Sequence, residues 1–450
     1  MKKSTKKEQP AAAAHGFEKA QSSPVASLLI RGGRVVDPAQ KLDGELDVLL
    51  RDGRVAQVAP PGTLKDAAEI VDAKGLVVAP GLIDLHVHLR EPGKAYKETI
   101  KSGTAAAAAG GFTSVCAMPN TTPVNDSPAI TRWMQDPERG AVVNVFPIAA
   151  ATVASAGERI SNYGALHAAG AVAVSDDGLP ILDDKVMAGA LETAALVGMP
   201  VIQHAEDTRL TQGTQMNLGA TSFRLGLRGQ PAEAEWRMVE RDIRLAHGTR
   251  GRLHVAHIST ARALELVKLG RQTGVAVSAE VTPHHFLFTE EECAGYDSRY
   301  KMNPPLRTAA DREALLAGLA DGSVDAIATD HAPHALFEKE VEFDKAAWGI
   351  TGLEIALGAA LTVLYHERKV PLARIVALLS SNPARIVGFD GRGTLAVGAH
   401  ADVTLFDLKA NWTYDVRKTR SKARNCPYDG MRFKGRPVMT IVGGRVVFRA

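Results

Sequence analysis

His86 and His88 stand two apart in GLIDLHVHLREPG, residues 81–93. In an extended strand, side chains two apart share a face. Two neutral imidazoles aimed at one point are half of a metal site. An isolated His-x-His pair is as readily a pair of core or surface histidines, so the reading depends on what else can converge there. Further candidates end other apolar runs: Asp176 and Asp177 after AVAVS, His204 in PVIQHAED, His257 in RLHVAHIST, and Asp330, His331 and His334 in VDAIATDHAPH. Each alone is unremarkable, since an Asp ahead of a helix is usually an N-cap. Together, the imidazoles of His86, His88, His204 and His257 and two carboxylates on one face would repel and desolvate badly without a cation. Nitrogen and oxygen donors without a thiolate favour Zn²⁺. Six donors exceed what one four-coordinate zinc with an open position uses, which points to two ions sharing a bridging carboxylate. Adjacent Asp176 and Asp177 face opposite sides of their strand, so only one enters the site, and spacing alone leaves open which.

The elements that must position these residues follow a repeating texture. Eight apolar, strand-like runs, GLIDLHVH, FTSVCAMPN, VVNVFPIAA, AVAVSDD, PVIQHAED, RLHVAHIST, VAVSAEVTPHH and VDAIATDHAPH, alternate with alanine-rich helical stretches such as TIKSGTAAAAAGG. Fully apolar parallel strands alternating with helices predict an α/β fold, a closed (β/α)8 barrel whose site lies at the C-terminal strand ends. An open doubly wound sheet is the alternative. Short strands with Gly-Gly and Asp-Gly turns occupy both ends of the chain. They predict a small β-sandwich domain, residues 26–79 with 391–450, around a barrel over 80–390, with residues 1–25 a disordered tail.

Composition excludes several classes. The 450 residues carry a formal charge of +3, so charge implies no nucleic-acid partner. Cys116, Cys293 and Cys426 are widely spaced and odd in number, against a disulfide framework. The basic opening lacks the apolar core of a secretory signal, and no apolar run approaches the ~20 residues of a membrane helix. A soluble, cytoplasmic protein is expected.

The segments HVHLREPG, MPNT, SDDG, QHAED, AHIST, KMNPPLR, TDHAPH and WGITGLE, taken in order over roughly residues 28–445, resemble the class I dihydroorotases of the amidohydrolase superfamily. The resemblance implies that His86, His88 and Asp330 hold one zinc, that His204 and His257 hold a second, and that Asp177 rather than Asp176 bridges them. Related hydantoinases usually bridge with a carboxylated lysine; here SDDG takes that place, with no lysine until Lys185. The implied reaction is reversible closure of N-carbamoyl-L-aspartate to L-dihydroorotate in pyrimidine (UMP) biosynthesis. Water on zinc, its pKa lowered to about 7, would serve as nucleophile in the hydrolytic direction, with Asp330 as general acid and base.

Arg90 shares the face of His88 and can grip a carboxylate bidentately, unless it merely pairs with Glu91 or Glu98. The resemblance adds His88, Asn120 and His334 around that carboxylate, and Asn303, Trp348 and Gly349 at the ring amides. Asn120 could instead form an Asx-turn in PNTTP. His331 is expected to point away from the metals, His284 and His285 are ambiguous, and His167, His247, His254, His366 and His400 are read as structural. Two other functions compete: a hydantoinase, dihydropyrimidinase or allantoinase, which generally lacks the LREPG segment, and a non-catalytic subunit scaffolding aspartate transcarbamoylase, which would be expected to lose ligands. The family also implies a homodimer and an assembly with aspartate transcarbamoylase.

Overall fold

The computed structural model describes residues 27–65 and 67–450; the expected tail, residues 1–25, lies outside them. Each of the eight apolar runs forms a strand: Leu82–Val87, Phe112–Ala117, Asn144–Ala150, Ala173–Ser175, Val201–Gln203, Leu253–Val255, Val277–Val281 and Ala326–Ile327. They pair in chain order, every pair parallel. A parallel bridge from Val87 to His331 brings the first strand back to the end of the eighth, and the His88 N–H donates to the His331 carbonyl at 2.9 Å. Every residue of the first strand is buried, as expected where helices cover one face of a sheet and packed side chains fill the other.

The outer helices start at residues that stop the strand-to-helix loops. Thr99, Asp183, Thr260 and Thr308 each accept a backbone N–H in the first turn of the helices Ile100–Ala109, Asp184–Leu196, Ala261–Gln272 and Ala309–Asp321. Each cap satisfies a donor that the helix cannot, typically worth about 1 kcal/mol. Alanines 106, 107 and 108 are buried, so the alanine-rich run packs its helix closely on the sheet.

Strands from both chain ends form one mixed sheet of eight: Ser27–Asp37, Leu42–Arg51, Arg54–Ala59, Glu69–Asp72 and Val77–Pro80 join Val403–Thr413, Arg432–Val442 and Arg445–Arg449. Seven of the strands follow one hydrogen-bonded path, Glu69–Asp72 pairs beside it with Ser27–Asp37, and the two ends of the chain meet where Val77–Pro80 pairs antiparallel with Val403–Thr413. Leu28, Ile30, Val48, Val78, Val403, Leu405 and Ile441 share one apolar cluster, while Leu29, Leu49 and Leu64 form another; alternation along Ser27–Asp37 feeds both. This sheet anchors the site. Gly81 joins Pro80 to the first barrel strand and its N–H donates to the Asp402 carbonyl at 2.8 Å. A Cβ there would overlap Thr113, so only glycine lets the strand bearing His86 and His88 pass so close to its neighbour. Among the described residues, no helix is long and apolar enough to cross a membrane.

Candidate active site

The first strand delivers His86 and His88 on one face, with ring centroids 5.4 Å apart. His86 Nε2 lies 3.3 Å from Asp177 Oδ1 and 3.5 Å from Asp330 Oδ1. His88 Nε2 lies 3.0 Å from Asp330 Oδ1 and 3.5 Å from Asp177 Oδ2. From the fifth and sixth strand ends come His204 Nδ1 and His257 Nε2, 3.0 Å apart and 3.9 and 3.7 Å from Asp177 Oδ1. All six side chains are buried. Their donor atoms fall into overlapping triads, His86–His88–Asp177, His86–His257–Asp330 and Asp177–His204–His257, within 4.8 Å in each. Asp177 faces both histidine pairs, as a bridging carboxylate must. Asp176 turns the other way and accepts the Thr152 N–H at 3.0 Å and the Thr152 hydroxyl, so the turn that follows the strand Ala173–Ser175 separates the adjacent acids.

Two of these donors sit on strained backbone. His257 has φ 31° and Asp330 φ 44°, and Arg90 beside them has φ 62°. Left-handed conformations at such residues cost on the order of 1–3 kcal/mol and cluster where function requires them. Asp84 helps to hold the strain: Oδ1 accepts the N–H groups of His86 and Thr329, each at 3.1 Å, and Oδ2 accepts the Thr329 hydroxyl at 2.6 Å. The first strand and the turn carrying Asp330 are thereby fixed to each other.

The donor set fits divalent metal. Against the pull of burial, the carboxylates of Asp177 and Asp330 hold His86 well above the usual imidazole value, and His86 in turn holds both carboxyls below theirs. Positive charge is thus what the cluster stabilises. His86 Nε2 is buried without a hydrogen-bond partner, a cost relieved when a divalent cation takes the place of its proton. His88 is lowered instead, by burial and by Arg90, which favours the neutral imidazole that ligation needs.

Two carboxylates missed by the sequence reading orient these histidines. Glu280, in the seventh strand, places Oε1 3.0 Å from His86 Nδ1 and Oε2 3.0 Å from His254 Nε2; those contacts hold it below the usual carboxylate range despite burial. Its signal is a charged residue inside the apolar run VAVSAEV, since a buried acid needs a partner. Glu206 places Oε2 2.8 Å from His204 Nε2 and accepts Asn303 Nδ2 at 2.7 Å. Against burial, His204 draws Glu206 down to about 2.

The expected substrate residues gather on one side of the cluster. Arg90 Nε donates to the Pro333 carbonyl at 3.1 Å and one terminal nitrogen lies 3.5 Å from His334 Nε2. Glu91 and Glu98 bind elsewhere: Glu91 accepts the Ile100 N–H, and Glu98 holds His331 at 3.3 Å and the Ser421 hydroxyl. His331 therefore points away from the donor cluster. Burial, Arg90 and Lys97 push His334 down to about 2, although Glu338, paired with Lys97 at 2.7 Å, lies 3.4 Å from His334 Nδ1. Asn120 binds inward, its Oδ1 2.9 Å from His88 Nδ1 and its Nδ2 3.3 Å from Asp177 Oδ2. The Gly349 N–H donates to the Lys301 carbonyl at 3.0 Å, and its carbonyl accepts Asn425 Nδ2 at 3.0 Å and Lys339 Nζ at 3.1 Å. Trp348 lies with its ring centroid 4.8 Å from Lys301 Nζ. A cavity of about 370 Å³, lined in part by His334, Leu336, Lys339, Val341 and Asn425, adjoins this wall. Of the ambiguous pair, His285 lies 2.8 Å from the Thr282 hydroxyl and 3.0 Å from the Pro304 carbonyl, and buried His284 has neither ring nitrogen partnered.

Comparison with known proteins bears on the same geometry. Residues 75–263 match the family model described as dihydro-orotase-like. A dihydroorotase of Solibacter usitatus is 51% identical over 418 residues, covering 93% of this chain and 97% of that one. One of Anaeromyxobacter dehalogenans is 50% identical over 423 residues, with 93% and 97% covered. Among solved structures, an L-hydantoinase (dihydropyrimidinase) from Arthrobacter aurescens superposes with a TM-score of 0.85 at 26% identity, covering 94% of this chain and 96% of that one.

Proposed function

Because this chain belongs to the dihydroorotase family, we propose that it interconverts N-carbamoyl-L-aspartate and L-dihydroorotate, the ring-closing step of de novo pyrimidine biosynthesis. The observation that carries the reading is Arg90: buried, free of a carboxylate partner among the described residues, and 3.5 Å from His334 beside the six-donor cluster. A buried guanidinium so placed calls for an anionic ligand. Neutral hydantoin rings offer none, and the dihydroorotase relatives are near 50% identical where the hydantoinase is 26%.

His86, His88 and Asp330 would hold one Zn²⁺ and His204 and His257 a second, with Asp177 between them. Bound zinc supplies a Lewis acid for the reacting carboxyl and an activated water for the reverse reaction. In the closing direction the ureido nitrogen bonds to the side-chain carboxyl carbon, a C–O bond breaks and water leaves. Asp330, its carboxyl held below the usual range, takes the nitrogen's proton on Oδ and returns it to the departing oxygen, which leaves as water on taking a second proton from solvent, so each ring closure consumes one proton. Arg90 and His334 grip the carboxylate that does not react, while Asn120 and His88 bound that end of the site. Asn303, oriented by Glu206, and the backbone at Trp348 would face the forming ring, while Gly349, both of whose polar backbone groups are bonded within the wall, would hold that backbone in place.

Turnover of carbamoyl-aspartate by the purified protein, set against hydantoin and allantoin, tests the assignment. Chelation should abolish ring closure and added Zn²⁺ restore it; turnover of hydantoin but not carbamoyl-aspartate would overturn the reading in favour of the hydantoinase class. A non-catalytic scaffold is disfavoured because all six donors are present and buried. The family also supports a cytoplasmic homodimer that assembles with aspartate transcarbamoylase, which sedimentation of the chain alone and in mixture measures.

A further inference from the structure

Two lysines lie buried beside the pocket, Lys301 at 2% and Lys339 at 3% exposure. Neither forms an ion pair among the described residues. Lys301 Nζ donates to Gln215 Oε1 at 2.6 Å and to the carbonyls of Phe343 and Asp344 at 2.7 and 3.0 Å. Lys339 Nζ donates to the carbonyls of Ala347, Gly349 and Lys301 at 2.8, 3.1 and 3.3 Å. Four of these six acceptors are backbone oxygens of one segment, residues 343–349, which ends at Trp348 and Gly349. Lysine is seldom buried without a counter-charge. Leucine or methionine would fill the same volume with no charge to desolvate, so packing does not account for two ammonium groups. Lys339 shares the lining of the 370 Å³ cavity with His334, which places its side chain next to the residue expected at the carboxylate end of the site.

We propose that Lys301 and Lys339 are positioning residues that hold the segment 343–349 as one wall of the substrate pocket and supply positive field favouring a dianionic substrate. The proposal rests on the dihydroorotase reading, in which carbamoyl-aspartate carries two carboxylates and dihydroorotate one. Field acting on both should favour the dianion. Burial lowers Lys339 to about 7 and Lys301 to about 8, so the field should fade as pH rises through that range. The groups facing Lys339 are Lys301, Asp297, His334, Glu340 and Arg424, and those facing Lys301 are Asp344 and Lys339. Asp297 is paired with Arg299 at 2.6 Å.

The test compares the zinc-loaded wild type with Lys301→Met and Lys339→Met, measuring KM and kcat for both substrates from pH 6.5 to 9, with bound metal as a control. In the wild type KM for carbamoyl-aspartate should rise with pH more steeply than KM for dihydroorotate. Each substitution should raise the former about tenfold near pH 7, more than it lowers kcat, and flatten the pH dependence, with bound metal unchanged. Wild-type KM values and pH dependence retained in both variants would overturn the proposal. Should neither variant fold, a wild-type KM that is flat across the range does the same. Absence of carbamoyl-aspartate turnover by the wild type is a separate result, and it rejects the dihydroorotase reading itself.

Discussion

The pocket has two unlike halves. On one side, six donors come from the ends of the first, fourth, fifth, sixth and eighth barrel strands, His86 from within its strand and the others from just beyond theirs, with His257 and Asp330 turned inward on left-handed backbone. On the other side, the wall from Pro333 to Gly349 is built around carbonyl oxygens, two buried ammonium groups and the Asn425 amide, which bonds the carbonyls of Ala332 and Gly349. The first half concentrates opposite charges that are held only where a cation joins them. The second sets a neutral His334 beside Arg90 and Lys97, the latter 3.2 Å from His334 Nδ1 and paired with Glu338 at 2.7 Å, so Arg90 is the unpaired cation there among the described residues. Electrophilic chemistry belongs to the first half and anion recognition to the second, so substitutions in the two should move different kinetic constants.

The largest effect is expected in the metal half. Asp330→Asn keeps an oxygen toward the cluster but removes the proton acceptor, and kcat should fall about a thousandfold with bound metal retained. Turnover unchanged in that variant, measured alongside its metal content, would remove Asp330 from the proton transfer. Next is Arg90→Lys, which keeps the charge and loses the planar fork. A loss of about a hundredfold in kcat/KM, carried chiefly by KM, is expected; a loss carried by kcat would erase the division between the halves.

The same division explains what the sequence made legible. His86, His88, His204, His257 and Asp330 end apolar runs at the C-terminal edge of the barrel, so type and position in the run sufficed to gather them, although only His86 lies inside a paired strand. Asp177 was separable from Asp176 by alternation only as one of two, until the Thr152 contacts showed which acid turns away. All eight barrel strands were likewise visible as runs, although the fourth, fifth and sixth narrow to three residues each once paired. Lys301, Lys339 and Asn425 were invisible for the opposite reason. They act on backbone carbonyls, which every residue carries, so nothing in their neighbours' identities announces the contact. Glu280 lies between these cases: its burial was readable as an anomaly, but its partner His86 is 194 positions away.

Glu280 offers a finer test of the metal half. Removing a carboxylate that orients a ligating imidazole typically weakens metal affinity by about 10- to 100-fold. Glu280→Ala should therefore lose zinc to a competing chelator more readily than wild type, and restoration of turnover by excess Zn²⁺ would separate lost affinity from a misfolded barrel. Wild-type zinc affinity in this variant would show that His86 is held by its strand alone.

The smallest effect concerns the neutral histidine of the anion-binding half. His334 is held at about 2, against about 6.5 in an unfolded chain. The unfolded state therefore binds the extra proton first as pH falls, so stability is complete above pH 6.5 and declines below it, down to the folded value near 2. Between pH 7.5 and pH 6 this one ring should cost about 0.8 kcal/mol. Denaturant unfolding of the chelated protein, which removes the competing effect of metal release, reads it as the difference in pH slope between wild type and His334→Asn. Buried His285, at about 3, stays in both proteins and cancels in that difference. An identical slope in the two would mean that His334 takes up its proton in the folded pocket, and the anion-binding half would then carry one more positive charge than its geometry assigns.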